Sequence, residues 1–140
     1  MTAVDPADDV QVGLFALLDG DTQLSSLVTG VFDDVPEDQP HPYVVIGEAL
    51  STPANVHGRH GRQVVSTLHT WTRARSHRPG NQIGARLVAL LAQGQTVLDP
   101  FVDGHVVWMI NHEFHQNLRD PNREIRHRVD RFRIWTSQDQ

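Results

Sequence analysis

A chain of 140 residues with 39% apolar and 21% charged side chains is sized for one domain that buries its own core. It contains no cysteine, which excludes disulfides, thiolate metal ligation and a cysteine nucleophile. The net charge of −5 argues against a protein whose main task is gripping nucleic acid. No apolar run approaches the roughly 18 residues of a membrane span, and the N-terminus is acidic rather than a basic leader, so a cytoplasmic protein is expected.

Asp5-Pro6 is a helix start, a capping carboxylate followed by proline. Asp8 and Asp9 suit the first turn, and Ala7, Val10, Leu14, Leu17 and Leu18 recur at helical spacing, with Gly20 closing the helix. Asp21 caps a second, short helix carrying Leu24, Leu27 and Val28. Pro36, Pro40 and Pro42 then bar any helix from Asp33 to Pro42. Tyr43-Val44-Val45-Ile46 is β-prone, and its unbroken apolar run predicts a strand covered on both faces. Ser51–Gly61 reads as a mobile loop or the arm of a hairpin.

A second strand is expected from Gln63 to Arg73, followed by the basic turn Arg73–Arg78. Asn81 is a plausible cap for a helix with Ile83, Leu87, Leu90 and Leu91 on one face, ending near Gly94. Gly84 costs that helix propensity and suggests close packing on a sheet. From His105, Val106, Trp108, Ile110, His112 and Phe114 alternate against His105, Val107, Met109 and Asn111. Arg-Asp-Pro-Asn supplies a turn, and Ile125 to Trp135 returns as the last strand, with Arg131 and Arg133 on one face and Asp130, Phe132 and Ile134 on the other. The expected fold is α+β: a largely antiparallel four-stranded sheet with helices on one face, in the order α-β-β-α-β-β. One domain over 1–140 is expected, with 1–4 and 136–140 disordered.

Nothing in this pattern demands catalysis or a cofactor. His57 and His60 lie in a glycine loop that could fold around an ion, but a surface role is favoured. His112 and His115 have metal-like spacing, yet on a strand they are expected on opposite faces. Asp33, Asp34, Glu37 and Asp38 could hold a hard cation, but no partner residue is fixed by spacing. No phosphate loop, nucleophile elbow or dinucleotide fingerprint is present. Taken alone, the acidic loop, Arg73, Arg75 and Arg78, and Arg131 with Arg133 are ordinary solvated charge.

The collinear set of segments nonetheless resembles one family. An amphipathic first helix, then Val-Phe-Asp-Asp-Val-Pro at 31–36, Pro-Tyr-Val-Val-Ile-Gly-Glu-Ala at 42–49, Thr67-Leu68-His69 with Trp71, Arg119-Asp120-Pro121 and Arg131-Phe132-Arg133 are similar to the phage tail completion and tail terminator proteins. The resemblance implies a structural virion protein assembled in the host cytoplasm, a homo-hexameric ring at the head-proximal end of a tail tube. Its implied partners are the major tail tube protein and a head–tail connector or adaptor, with DNA passing through the lumen without sequence-specific contact. It makes Asp33, Asp34, Glu37, Asp38, His57, Arg59, His60, Arg73, Arg75, Arg78, Arg131 and Arg133 candidate contacts to neighbours, because a head-to-tail ring needs two different complementary surfaces on each copy. The histidines of 57–60 depart from the family pattern. The alternatives are a connector-side ring component, or a small metal-dependent enzyme using His57, His60 and the acidic loop.

Overall fold

The alternating run around Val65–Trp71 forms the central strand of the molecule. In the computed structural model, which describes residues 2–92 and 97–139, this strand is β3 (Gly61–Arg73). Its neighbours are β2 (Tyr43–Pro53) and β5 (Ile125–Gln138), both antiparallel to it, and β4 (His105–Arg119) pairs with β5 as a long hairpin. A two-residue strand, β1 (Val31–Phe32), adds in parallel beside Val44 and Val45. The sheet is therefore five-stranded, in the order β1-β2-β3-β5-β4, rather than the four strands expected. Two residues ahead of a proline loop carry no periodicity, so pattern alone had no means of finding β1.

Among the described residues, three helices complete the α+β fold: α1 (Ala7–Gly20), α2 (Thr22–Ser25) and α3 (Arg78–Leu91), with a 3-10 turn at Asp99–Phe101. In full the order is α-α-β-β-β-α-β-β. Val10, Leu14 and Leu18 of α1 and Ile83, Leu87 and Leu91 of α3 join Val44, Ile46, Val64, Leu68, Phe132 and Ile134 in one core. Asp21 does cap α2, accepting the Leu24 N–H at 2.9 Å, and it also receives two bonds of 2.8 Å from the Arg86 guanidinium. That fork lowers the Asp21 pKa and ties α3 to the helical hairpin.

Several expectations are corrected. Helix α3 starts at Arg78 with Pro79 in its first turn, three residues before Asn81, because proline suits that position and lacks the donor a cap would have to satisfy. Its expected end near Gly94 lies outside the described residues. Tyr43 and Val45 are only half-buried, since helices cover one face of β2 and not both. The arm of a hairpin is the outcome for Ser51–Gly61, with β2 running to Pro53 and Val56 bridging Arg59. Thr136–Gln138, expected to be disordered, continue β5, and the Gln138 side chain bonds Val4 N–H and the Thr2 carbonyl at 2.9 and 2.6 Å. Polar residues there gain strand partners that composition does not announce.

Alternation in β4 is broken by two register shifts, between Val107 and Met109 and between His112 and Phe114. Each adds one residue and reverses which face follows. His105, Val107 and Ile110 therefore point inward, while Trp108 and Phe114 are exposed.

Gly84 shows why α3 can lie so close to the sheet. A Cβ there would fall inside the Arg128 guanidinium. Gly20, also helical, has open space around the same position. Alanine is the better helix former at both sites by about 1 kcal/mol. Gly20→Ala should be neutral or stabilising, whereas Gly84→Ala should cost about 1–3 kcal/mol through overpacking. Urea unfolding of the two variants checks the opposite signs.

Candidate functional site

With helices on one side only, the second face of the sheet stands open, and its side chains are aromatic, basic and histidine-rich. The odd-numbered residues of β3 and β5 line it. Trp71 stacks on His127 with ring centroids 3.8 Å apart and planes within 9°. His127 Nε2 is 2.7 Å from His69 Nδ1, and His69 Nε2 lies 3.2 Å from both Glu48 oxygens. With His69 donating to Glu48, its Nδ1 accepts from His127, so the row is satisfied end to end. Gly47 makes the room: a Cβ there would sit 2.6 Å from the His69 ring. Glu48 is held below its usual pKa by its own backbone N–H first and by His69 after that.

Farther along the same face, the Arg131 guanidinium lies 4.8 Å from the Phe114 ring centre. Arg133 is paired with Glu113 and donates to Gln63. Trp108 and Trp135 meet at 5.6 Å, and Leu50, Val106, Trp108 and Phe114 are exposed.

The candidate residues read from the sequence do not form one site. Asp33, Asp34, Glu37 and Asp38 are exposed in the loop between β1 and β2, where Asp38 adopts φ 62°, a conformation aspartate tolerates. The base of that loop is pinned: Thr29 Oγ1 donates to the Pro40 and Pro42 carbonyls, and Gln39 donates to Thr29. Arg73, Arg75 and Arg78 follow β3 at the same end of the sheet, and Arg73 is engaged by Glu124 at 3.1 Å. His57, Arg59 and His60 lie at the opposite end, in the β2–β3 connection. Arg131 and Arg133 belong to the open face, midway between the ends.

His112 and His115 lie on the same face, contrary to the expectation of opposite ones, because the bulge at Glu113 restores their phase. Together with Asp130 they could offer three donor atoms within 4.8 Å of one another. Both oxygens of the fully buried Asp130 are already taken, however. Arg128 donates to them at 2.9 and 3.0 Å, and His112 Nε2 is 2.9 Å from Oδ1. Arg128 also reaches Asn81 of α3 at 3.1 Å. The group is a buried ion-pair network that joins β4, β5 and α3, and the guanidinium already supplies the positive charge a cation would bring. Sequence reasoning grouped Asp130 with Phe132 and Ile134, whose face turns out to be the buried one, but missed Arg128, whose apolar stem and buried partner leave no hydropathy signal.

Helix, sheet and loop arrangement can be set beside known proteins. The profile of the family described as Tail completion protein gp17 matches residues 12–137, nearly the whole chain. The chain belongs to that family. Membership carries a structural role in a virion tail, the coarse reading that the segments at 31–49 and 119–133 suggested. Among solved structures, a chain of the "Virion of native gene transfer agent (GTA) particle" superposes on this fold with a TM-score of 0.83 at 18% identity, covering 96% of this chain and 99% of that one. No curated protein is similar in sequence.

Two outcomes follow from the buried chemistry. Asp130→Ala strands Arg128 and should cost about 3–5 kcal/mol, whereas Arg128→Met with Asp130→Leu removes both charges and should cost much less. Urea unfolding distinguishes them. His127 is held below the ordinary imidazole pKa of 6.5, first by burial and then by His69. The unfolded chain therefore takes up this proton at higher pH than the folded one, and stability falls as pH drops below about 6.5. His41, shifted the same way by burial and by Arg73, adds to the slope. Urea midpoints should decline from about pH 7 to about pH 5.5, and less steeply in His127→Phe.

Proposed function

We propose that this chain is the subunit of a ring that caps the head-proximal end of a long tail tube, stops tube polymerisation and forms the joint to the head. The observation that carries the reading is the match of the tail completion family over residues 12–137. The open sheet face supports it, since Trp108, Phe114 and Leu50 are exposed on a surface suited to a neighbour rather than to water. So does the virion setting of the particle whose chain shares this fold.

The action is geometric rather than catalytic. One surface docks on the last ring of tube protein, and the surface turned away cannot accept another. Six copies close the ring around a lumen that passes DNA without reading it, and the outer surface receives a connector or adaptor protein. The two ends of the sheet differ in the way such a joint requires: His57, Arg59 and His60 stand at one end, and the acidic loop with Arg73, Arg75 and Arg78 at the other. Arg131 and Arg133 act from the open face.

Light scattering over a range of concentrations, followed by negative-stain imaging, tests the reading. The expected result is a closed ring of about six copies, formed alone or on addition of tail tube protein. Added in excess, the subunit should shorten tubes that polymerise in its presence. A monomer that ignored the tube, with tube length unchanged, would sink the proposal.

A further inference from the structure

The arginines gathered at one end of the sheet are more than the sequence pattern singled out. Arg119 ends β4, Arg123 lies in the β4–β5 turn, Arg126 opens β5 and Arg75 follows β3. With Asp120 they line a cavity of about 470 Å³. Arg126 is fixed in place, donating to the carbonyls of Arg75, Arg123 and Ile125 at 2.8, 2.6 and 3.1 Å. Among the described residues, the exposed side chains of Arg75, Arg119 and Arg123 have no acceptor. Asp120, the one carboxylate in the lining, already accepts the Asn122 N–H at 2.9 Å. Guanidinium groups collected in this way repel one another until an anion with planar oxygens enters.

The chain carries such an anion in its β1–β2 loop. Asp34, Glu37 and Asp38 are exposed and without partners among the described residues, and Asp33 accepts only from Gln11. This loop borders β2, and part of it lines a second cavity with His41, Tyr43 and Arg73. In the sheet order β1-β2-β3-β5-β4 the acidic loop lies at the β1–β2 edge, and the arginine cavity spans the ends of β3, β5 and β4. No ion pair of the described residues joins them within one copy. Two unlike surfaces of this kind on each copy are what a heterologous, ring-closing contact requires.

We propose that the acidic loop Asp33–Asp38 of one copy enters the cavity lined by Arg75, Arg119, Arg123 and Arg126 of the next. The inference rests on the ring reading and names its contact. Thr29 and the loop prolines hold the acidic segment before docking, so little ordering entropy remains to be lost. A nucleic acid phosphate is the other anion of suitable chemistry, but a chain of net charge −5 repels a polyanion until it is close.

Charge reversal on each surface tests the contact under whichever condition assembles the wild type, alone or on tube protein. One variant carries Arg119→Glu and Arg123→Glu, a second carries Asp34→Lys and Glu37→Lys, and a third carries all four. Melting curves confirm that each is folded; for any that is not, Arg119→Ser with Arg123→Ser or Asp34→Ser with Glu37→Ser replaces it. Each two-site variant should assemble at least about tenfold more weakly than wild type, and the four-site variant should recover. Mixing the two oppositely charged variants should also restore rings, because each contact then pairs opposite charges. Rings that ignore the reversals overturn this contact and leave the ring reading standing. Failure of the four-site variant and of the mixture to recover also overturns the contact. Normal rings that instead lose binding to a short duplex DNA would reassign the cavity to phosphate. A wild type that never assembles removes the ring itself.

Discussion

Strand β3 is hydrogen-bonded on both flanks, to β2 from Tyr43 to Pro53 and to β5 over its whole length from Gly61 to Arg73. Every other element takes its place from that strand. Because side chains alternate along it, Val64, Leu68, Thr70 and Thr72 must go beneath the helices, and Val65, Thr67, His69 and Trp71 must face away. The in-register partner β5 repeats the division, with Phe132 and Ile134 inward and Arg131, Arg133 and Trp135 outward. A one-residue slip would expose the core and bury the arginines, so register is strongly specified.

That division creates the two properties an assembly subunit needs. The inner face is a closed core with its own buried ion pair, Arg128–Asp130, locked to α3 through Asn81 and Gly84. Among the described residues no helix covers the outer face, which shows stacked aromatic and imidazole rings. A rigid body with one open face, an acidic loop at one edge and an arginine cavity at its strand ends is suited to fill a position among neighbours. Family membership points the same way.

The places where pattern reasoning failed share one cause. Bulges in β4 changed the phase of His112 against His115 and of Ile110 against Trp108, and a bulge obeys pairing with another strand rather than local sequence. The same holds for β1, which is a strand only because Val44 and Val45 lie beside it, and for Thr136–Gln138, which are ordered by β3, β4 and the N-terminal segment. The arginine cavity draws on residues from Arg75 to Arg126, far apart in the chain. No window of sequence contains it.

What the sequence determined by itself is whatever depends on near neighbours. The spacing of Val10, Leu14 and Leu18, the Asp21 cap, the prolines of the acidic loop and the alternation in β3 and β5 specify the elements and which side of each is buried. Collinear segments, read together, also carried the family. Tertiary structure alone decided which segments meet: that the sheet has a fifth strand, that bulges reset the faces of β4, and that arginines from β3, β4, β5 and their turns gather in one cavity. The physical reason is that propensity and capping act over one or two turns of chain, whereas edges, bulges and cavities are made by strands that meet only after folding.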